Sequence, residues 1–220
     1  MNRTSVFCVL PLLALISLVG TLMCAEPGRS QKETNWRNLF DGKTLKGWKV
    51  TNFGGEGQVT VEKGTIVMEF GSSLTGITYE GQPPTVDYEL SLEAQKVDGN
   101  DFFCGLTFPV GKSHCTLIVG GWGGAVVGIS SIDGRDASEN ATTSYMSFDK
   151  NRWYRIRVRV QADRIQAWID DKEVVNQDIR GRRISTRAEV ELSAPLGIAA
   201  FETRAALRNI RLREMKEPAK

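Results

Sequence analysis

The sequence predicts an all-β sandwich of two antiparallel sheets, because apolar and polar residues alternate in one segment after another. Every second residue is apolar in 86–95, and the same rhythm runs through 155–160 and 165–170. A period of two with one apolar face is typical of strands that pack on a core on one side and meet water on the other. Clusters of glycine, aspartate and asparagine, as at 98–100, separate these segments. Many short strands between turn signals indicate a sandwich or a jelly roll.

The first 25 residues are predicted to be an export signal that is removed from the mature protein. Arg3 is the only charge before Glu26, and an apolar run occupies 6–20. This run is shorter than the ~20 residues that a membrane span needs, and Pro11 disfavours a stable anchor helix. Two alternatives stay open: a retained N-terminal anchor, and a lipid anchor on Cys24. The expected location is therefore secreted or periplasmic.

The rest of the chain is predicted to be one domain, spanning residues 36–214. Roughly 190 residues suit a single sandwich, since such folds often reach about 200–250 residues as one unit. The formal net charge is only +2, so neither nucleic acid nor an anionic membrane surface is an expected partner. No apolar run after the signal is long enough to span a bilayer.

Two cysteines, Cys104 and Cys115, remain in the predicted domain. They lie in a segment, 101–121, that has the pattern of a hairpin turning near 109–112, so both are expected on the core-facing side of the sheet. In an oxidising compartment, such a pair predicts a cross-strand disulfide. The alternative, two small buried hydrophobic side chains, stays open.

The two ends of the domain resemble a known family. The segment LFDGKTLKGW at 39–48 resembles the opening motif of the 3-keto-disaccharide hydrolase family, and AALRNIRLRE at 205–214 resembles its final strand. The hairpin at 152–175 is similar to strand pairs of laminin-G-like and concanavalin A-like sandwiches, and 102–140 resembles a secreted, planctomycete-type subgroup. The resemblance implies a concanavalin A-like jelly roll that acts on or holds sugars, in some members by hydrolysing glycosides whose sugar carries a 3-keto group. Because fold alone does not give function, no catalytic residue is carried over.

Three residues are candidates for acid–base chemistry. Glycoside cleavage usually needs two carboxyl groups that flank the bond. A 3-keto group opens a second route, because it acidifies the C2 proton, so that a base can drive elimination of the anomeric group before water adds back. The candidates are Glu56 in a glycine-rich loop, Asp101 at the start of the 101–121 hairpin, and His114, the only histidine. The structural alternative is that the acids are solvated turn residues and that His114 is a half-exposed strand residue.

Aromatic residues are the expected sugar-binding groups, because flat rings stack on the apolar faces of sugars. Trp122 is flanked on both sides by glycine pairs, which suits a ligand platform. Phe103 is expected on the same side of its hairpin as His114, and Trp48 is the third candidate.

A calcium site is a further hypothesis, although neither route requires a cofactor. Asp133, Asp136 and Glu139 crowd one loop and offer the hard oxygen ligands that calcium prefers. Their spacing fits no EF-hand.

Three functions are therefore compared. The first is an exported hydrolase of glycosidic bonds, acting on 3-keto-glycosides. The second is a non-catalytic, lectin-like module that binds glycans in the same groove. The third is a structural or adhesion domain of the cell envelope. Carboxylates or His114 that converge in one aromatic-lined groove would favour the first.

Overall fold

Two antiparallel sheets stack on each other in the computed structural model, which describes Met1 and residues 35–215. Apart from Met1, the predicted export signal at 1–25 and its Cys24 lie outside the described residues. Sheet 1 has eight strands. In spatial order they are β13 (Lys172–Asp178), β12 (Arg164–Ile169), β11 (Trp153–Val160), β6 (Tyr88–Gly99), β15 (Thr203–Glu214), β4 (Thr65–Met68) and β3 (Val59–Glu62), with β1 (Arg37–Asn38) also pairing with β15.

Sheet 2 has seven strands. In spatial order they are β10 (Ser144–Tyr145), β9 (Val126–Ser130), β8 (Ser113–Gly120), β7 (Cys104–Val110), β14 (Gly197–Phe201), β5 (Leu74–Tyr79) and β2 (Trp48–Val50). The helical elements described are a four-residue turn, α1 (Gly121–Gly124), and a 3-10 helix, η1 (Ala188–Ser193). Within the described residues, no helix has the length and apolar character needed to cross a membrane. The predicted all-β sandwich of two antiparallel sheets is confirmed.

The alternating apolar residues of both sheets meet between them and form the main core. Leu92 of β6, Ile156 of β11 and Leu117 of β8 are almost completely buried there. Burying one such side chain stabilises a fold by about 1.5–3 kcal/mol. The two-residue period that predicted the strands is therefore the arrangement that fills the space between the sheets.

Two of the predicted sugar-binding aromatics belong to this core. Trp48 is only 4% exposed, and its indole N–H donates to the Leu39 carbonyl at 2.8 Å. Phe103 is fully buried, with its ring centroid 5.2 Å from that of Phe148. Neither ring can stack on a sugar, so both predictions are wrong. Phe103 was assigned to the outer face by strand alternation, but β7 begins only at Cys104.

The predicted disulfide is also wrong, because both thiols are free and buried. The β7–β8 register pairs Cys104 with Val119 and Cys115 with Phe108. The two cysteines share the core-facing side, as predicted, but they are four positions apart along the ladder, about 13 Å at 3.3 Å per residue. A disulfide needs Cα atoms within about 7 Å. Burial raises the pKa of the Cys104 thiol to about 12 and that of Cys115 still further.

The outer face of sheet 1 carries a charged cluster centred on Glu89. Its side chain is completely buried and accepts hydrogen bonds from Arg159 Nε at 2.7 Å, Arg157 Nη1 at 3.1 Å and Arg213 Nε at 2.8 Å. Trp168 lies under this cluster, with the Arg157 guanidinium 3.8 Å from its ring centroid. These groups cover the face with side chains that originate in the sheet itself.

The outer face of sheet 2 is covered instead by a separate segment, residues 185–193, which we call the strap. At one end Ser131 and Ser185 exchange backbone hydrogen bonds of 2.5 and 3.2 Å, and at the other end the Thr78 hydroxyl donates to the Leu192 carbonyl at 3.0 Å. A Cβ atom at Gly197 would lie 2.5 Å from the Ser193 carbonyl oxygen. Glycine at this position therefore lets the strap lie directly on the sheet.

Candidate functional site

A cleft opens on the outer face of sheet 2, along the strap. Its volume is about 360 Å³, within the usual range of small-molecule sites. One wall is the strap, the opposite wall is formed by the start of the β7 hairpin and by α1, and the sheet supplies the floor. In that order the lining residues are Arg187, Glu189 and Val190; Asp101, Phe102 and Trp122; and Leu74, Ile118 and Ser130, with Ser73 and Phe201 at one edge.

The cleft runs across the strands rather than along one of them. Ser130 lies on β9 and Leu74 on β5, which is four strands away in sheet 2. At a strand spacing of about 4.8 Å, this distance is about 19 Å. The site is therefore an elongated groove that several strands and the strap build together.

Asp101 occupies one wall and is held by the backbone around it. Its Oδ1 accepts a hydrogen bond from the Phe102 amide at 2.8 Å, and its Oδ2 accepts one from the Gly123 amide at 3.0 Å. The second bond joins the start of the β7 hairpin to α1, where Trp122 has φ 48° and Gly123 has φ 82°. The glycines around Trp122 permit this left-handed turn. It leaves the indole 43% exposed beside the carboxylate.

Arg187 and Glu189 form the charged part of the opposite wall. Arg187 Nη2 donates to Glu189 Oε1 at 2.7 Å, and Nη1 donates to Asp136 Oδ2 at 2.6 Å. The hydrogen bond from Arg187 keeps the pKa of Glu189 below its ordinary value. The same bond raises the pKa of Arg187. The guanidinium carbon lies 5.9 Å from the Trp122 ring centroid, so the two walls approach each other at this point.

The β5 end of the cleft is apolar. Leu74, Val190 and Ala199 form a small hydrophobic cluster, separate from the main core, against which Phe102 and Phe201 pack. The Phe102 and Phe201 rings are stacked, with centroids 5.9 Å apart. A Cβ atom at Gly105 would lie 2.9 Å from the Phe102 ring, so this glycine makes room for the ring to lie on the sheet.

The β9 end carries a buried hydroxyl group. Ser130 is fully buried, and its Oγ has no hydrogen-bond partner among the described residues. Its cross-strand neighbour Thr116 is bonded to Thr107, with 2.9 Å between the hydroxyl oxygens. A buried hydroxyl left without a partner costs about 1–3 kcal/mol. A polar group of a ligand in the cleft can provide the missing partner for Ser130.

The structure does not bring the three predicted acid–base residues together. Asp101 lines the cleft, whereas His114 pairs with Pro109 near the far end of the β7–β8 hairpin. His114 is four residues from Ile118 along β8, about 13 Å, and partial burial lowers its pKa. Glu56 lies outside the cleft lining, in a loop that accepts a hydrogen bond from the Ser72 amide through Gly55.

Glu56 is folded back onto its own loop. Its Oε2 accepts hydrogen bonds from the amides of Gly54 and Gly55, at 3.0 and 3.1 Å. Backbone hydrogen bonds within this loop lower the pKa of the carboxyl group. The arrangement makes Glu56 a loop-stabilising residue at the margin of the cleft.

The predicted calcium ligands do not converge. Asp133 accepts hydrogen bonds from Arg182 Nη1 at 2.9 Å and from the Arg183 amide at 2.8 Å. Asp136 is bound to Arg187, and no set of three His, Cys, Asp or Glu side chains in the described part of the chain is arranged to hold a metal. The hypothesis that Asp133, Asp136 and Glu139 form a calcium site is therefore wrong. Asp136 instead helps to place Arg187.

Several lining residues were missed in the sequence. Arg187 and Glu189 belong to no strand pattern, and contact between the strap and the β7 hairpin joins residues almost a hundred positions apart. Phe102 was overlooked in favour of its neighbour Phe103. The sequence does hold a signal for Phe102, because Gly105, three residues later, leaves space for its ring on the outer face. Trp122 and Asp101, both predicted as site residues, line the same cleft, and their roles there stay predictions.

The family comparison covers most of the described chain. Residues 35–213 match the family model described as the 3-keto-alpha-glucoside-1,2-lyase-like domain. No curated protein is similar enough in sequence to count as a relative.

Solved structures share the sandwich at low sequence identity. A candidate glycosyl hydrolase from Parabacteroides distasonis is 14% identical, with a TM-score of 0.51 over 82% of this chain and 94% of that one. A structure from work on endo-acting O-glycanases of the human gut microbiota is 12% identical, with a TM-score of 0.54 over 82% and 98%. The Crh5 transglycosylase is 10% identical, with a TM-score of 0.54 over 84% and 85%. At such identities the likeness establishes the fold alone.

Proposed function

We propose, from the premise that this chain belongs to the family of 3-keto-alpha-glucoside-1,2-lyase-like domains, that it is an exported enzyme that cleaves glycosides whose sugar carries a 3-keto group. The observation that carries the proposal is that Asp101 and Glu189 line opposite walls of one cleft, together with Arg187 and Trp122. Carboxylates in an aromatic-lined groove are the groups that glycoside chemistry requires. The carbohydrate-related names of the structural neighbours agree with this proposal.

Asp101 is the base in this proposal. A 3-keto group makes the C2 proton of the sugar acidic, so a carboxylate can remove it. The C2 electrons form a C1–C2 double bond as the bond from C1 to the leaving oxygen breaks, and the proton that Asp101 removed passes to the leaving oxygen, which restores the carboxylate. Water then returns a proton to C2 and a hydroxyl group to C1. Glu189 is less suited to the first step, because its carboxylate is already paired with Arg187.

Arg187 stabilises the negative charge that develops on the keto oxygen. Its guanidinium has five N–H donors, and hydrogen bonds to Asp136 and Glu189 use the Nη1, Nη2 and Nε groups. The remaining N–H groups are available to an oxyanion in the cleft. A donor fixed in place before the reaction stabilises such a charge more than freely moving water does. Asp136 and Glu189 thus act as positioning residues for Arg187.

Turnover of methyl 3-keto-α-glucoside, with methyl α-glucoside as the control substrate, tests the reaction. We expect sugar release from the keto substrate alone and a fall in kcat of about 100-fold or more in Asp101→Asn, the usual range for loss of a general base. Glu191→Gln is the matched control, since Glu191 lies on the same strap but outside the cleft lining. In deuterated water, elimination places deuterium at C2 of the product, whereas direct displacement at C1 does not.

A lectin-like role is the alternative outcome of this test. Tight binding of either glucoside without release of sugar would contradict the proposed reaction and favour a binding module. Equal turnover of both glucosides would contradict the 3-keto requirement. Export rests on the apolar run at 6–20. Sequencing the N-terminus of protein recovered outside the cytoplasm tests it.

A further inference from the structure

The two ends of the cleft differ in chemistry, and this difference bears on the substrate. Ser130, Arg187 and Glu189 supply polar groups at and near the β9 end. At the β5 end, four strands away, the lining is Leu74, Val190, Phe102 and Phe201, with Ser73 as the polar residue beside Leu74. The whole groove is therefore amphipathic along its length rather than uniformly polar.

We propose that the substrate is a glycoside with an aromatic aglycone, whose sugar lies at the polar end and whose ring lies against Phe102 and Phe201. This inference rests on the proposed function and adds the class of leaving group. The two phenylalanine rings are nearly parallel, with an interplanar angle of 24°. Both are half-buried and line the cleft, so they offer it an aromatic, apolar surface, which suits another ring.

A second sugar would fill the apolar end less well than an aromatic ring. One face of a sugar can stack on a phenylalanine ring, but its hydroxyl groups would leave water for a wall in which Leu74, Val190 and the two phenylalanine rings surround a single polar side chain, Ser73. Each buried hydroxyl without a partner weakens binding by about 5- to 150-fold. An aromatic ring in the same place loses no hydrogen bond and gains from burial of apolar surface.

The polar end of the cleft favours a sugar ring over an aromatic ring. Ser130 Oγ is buried without a protein partner in the described chain, and Arg187 and Glu189 line the same cleft. An aromatic ring at this end would leave Ser130 Oγ and the remaining N–H groups of Arg187 without a partner, whereas a sugar ring can bond to them. The two ends together fix the direction in which a glycoside enters.

Asp101 lies where the two parts of the ligand would meet. Its carboxylate is bonded to the amide of Phe102 on the apolar side and to that of Gly123 in α1. The bond between sugar and aglycone would therefore lie close to the proposed base. The proposed position of the aromatic ring therefore agrees with Asp101 acting as the base.

Steady-state turnover of benzyl and methyl 3-keto-α-glucosides tests the inference. Methanol and benzyl alcohol are similarly weak acids, so the two leaving groups depart with similar ease. The comparison therefore isolates binding of the ring. We expect kcat/KM to be about 10- to 100-fold higher for the benzyl compound, the factor expected for burial of one phenyl-sized group. A 3-keto-disaccharide serves as the third substrate and should be used less well than the benzyl compound.

Two substitutions locate the effect. Phe201→Ala should lower kcat/KM for the benzyl compound by about 10-fold or more, and by a larger factor than for the methyl compound, so that most of the benzyl preference is lost. Val190→Ala is a milder change in the same wall and should reduce the preference by a smaller factor. Phe70→Ala is the matched control, because Phe70 is 46% exposed and lies outside the cleft lining.

The outcomes separate this inference from the proposed function. Equal use of the methyl and benzyl compounds, or preference for the disaccharide, would overturn the aromatic aglycone and leave the reaction standing. Preferential binding of the benzyl compound without turnover would overturn the reaction but support the ligand class. Failure to bind any of the three would overturn both.

Discussion

The outer faces of the two sheets are covered in different ways. Sheet 1 covers itself with long charged side chains that bind one another, centred on Glu89. Sheet 2 carries small residues, such as Gly105 and Gly197, and leaves the covering to the strap. A self-covered face has no room for a ligand, whereas a face covered by a separate segment keeps a groove beside that segment. The difference indicates that the outer side chains of sheet 1 chiefly stabilise the fold, whereas sheet 2 leaves open the groove that is proposed to bind the substrate.

The largest expected effect concerns the charged face. Glu89→Gln removes the carboxylate that three arginines share, and these arginines are then left close together without their common partner. Breaking a buried ion pair usually costs 3–5 kcal/mol, and because the arginines remain partly exposed we expect about 3 kcal/mol. Urea unfolding measures this loss. Glu93→Gln, at a partly exposed carboxylate, should cost about 1 kcal/mol or less, and equal losses would contradict the role of Glu89.

The next effect concerns the contact between the strap and sheet 2. Gly197→Ala places a Cβ atom 2.5 Å from the Ser193 carbonyl and 2.9 Å from that of Ile77. Because both neighbours are backbone atoms, the strap must shift, and overpacking of this kind costs about 2 kcal/mol. At Gly105→Ala the close neighbour is the movable Phe102 ring, and the Ala199 carbonyl oxygen at 3.4 Å is at ordinary contact distance, so this change should cost less stability but weaken benzyl binding. The same loss of stability in both variants would show that the strap is not seated as described.

A smaller effect separates two buried hydroxyl groups. Ser130 and Ser193 both have buried Oγ atoms without partners among the described residues, but only Ser130 lines the cleft. Ser130→Ala should weaken binding of methyl 3-keto-α-glucoside by about 5- to 10-fold, the usual worth of one hydrogen bond. Ser193→Ala should leave the dissociation constant unchanged. Calorimetric titration measures both, and equal binding by all three proteins would exclude Ser130 from the site.

The charged cluster on the outer face of sheet 1 should also determine how the unfolding free energy changes in acid. Burial raises the pKa of Glu89, but hydrogen bonds and charge from Arg159 and Arg213 outweigh burial, so its pKa in the folded protein lies below the ordinary value. A lowered pKa contributes stability above the ordinary value, about 4.3, and this stability is lost as the pH falls through the folded-state pKa. The unfolding free energy should therefore decline below about pH 4.5. Glu89→Gln should flatten this decline, and an unchanged slope would contradict the assignment.

The smallest expected effect concerns the two cysteines in the core between the sheets. Since Cys104 and Cys115 are free, a reducing agent should leave the unfolding free energy unchanged. A disulfide would instead contribute about 2–4 kcal/mol. Thiol titration of the unfolded, unreduced protein should detect both groups, and their absence would restore the disulfide hypothesis.

Sequence periodicity predicted the strands because alternation is a local property, fixed by which side of the backbone each residue occupies. It failed for Phe103, where the strand had not yet begun, and for the cysteines, where the ladder register depends on the whole hairpin. The roles of Asp101 and Trp122 stay predictions, but both residues were singled out in the sequence because glycines and a hairpin start marked their loops. Arg187 and Glu189 were not, since the strap crosses sheet 2 through hydrogen bonds to Ser131 and Thr78 that no local pattern reveals.

The attachment of the strap at its two ends has an evolutionary consequence. Ser185 and Leu192 hold it through backbone groups, which do not depend on the side chain, while Arg187, Glu189 and Val190 between them line the groove. Exchanges at 187–190 therefore alter the shape and charge of the wall without disturbing the sheet beneath. A lineage with this architecture can diversify its selectivity by changing four neighbouring codons, and a protein engineer can do the same with a small library.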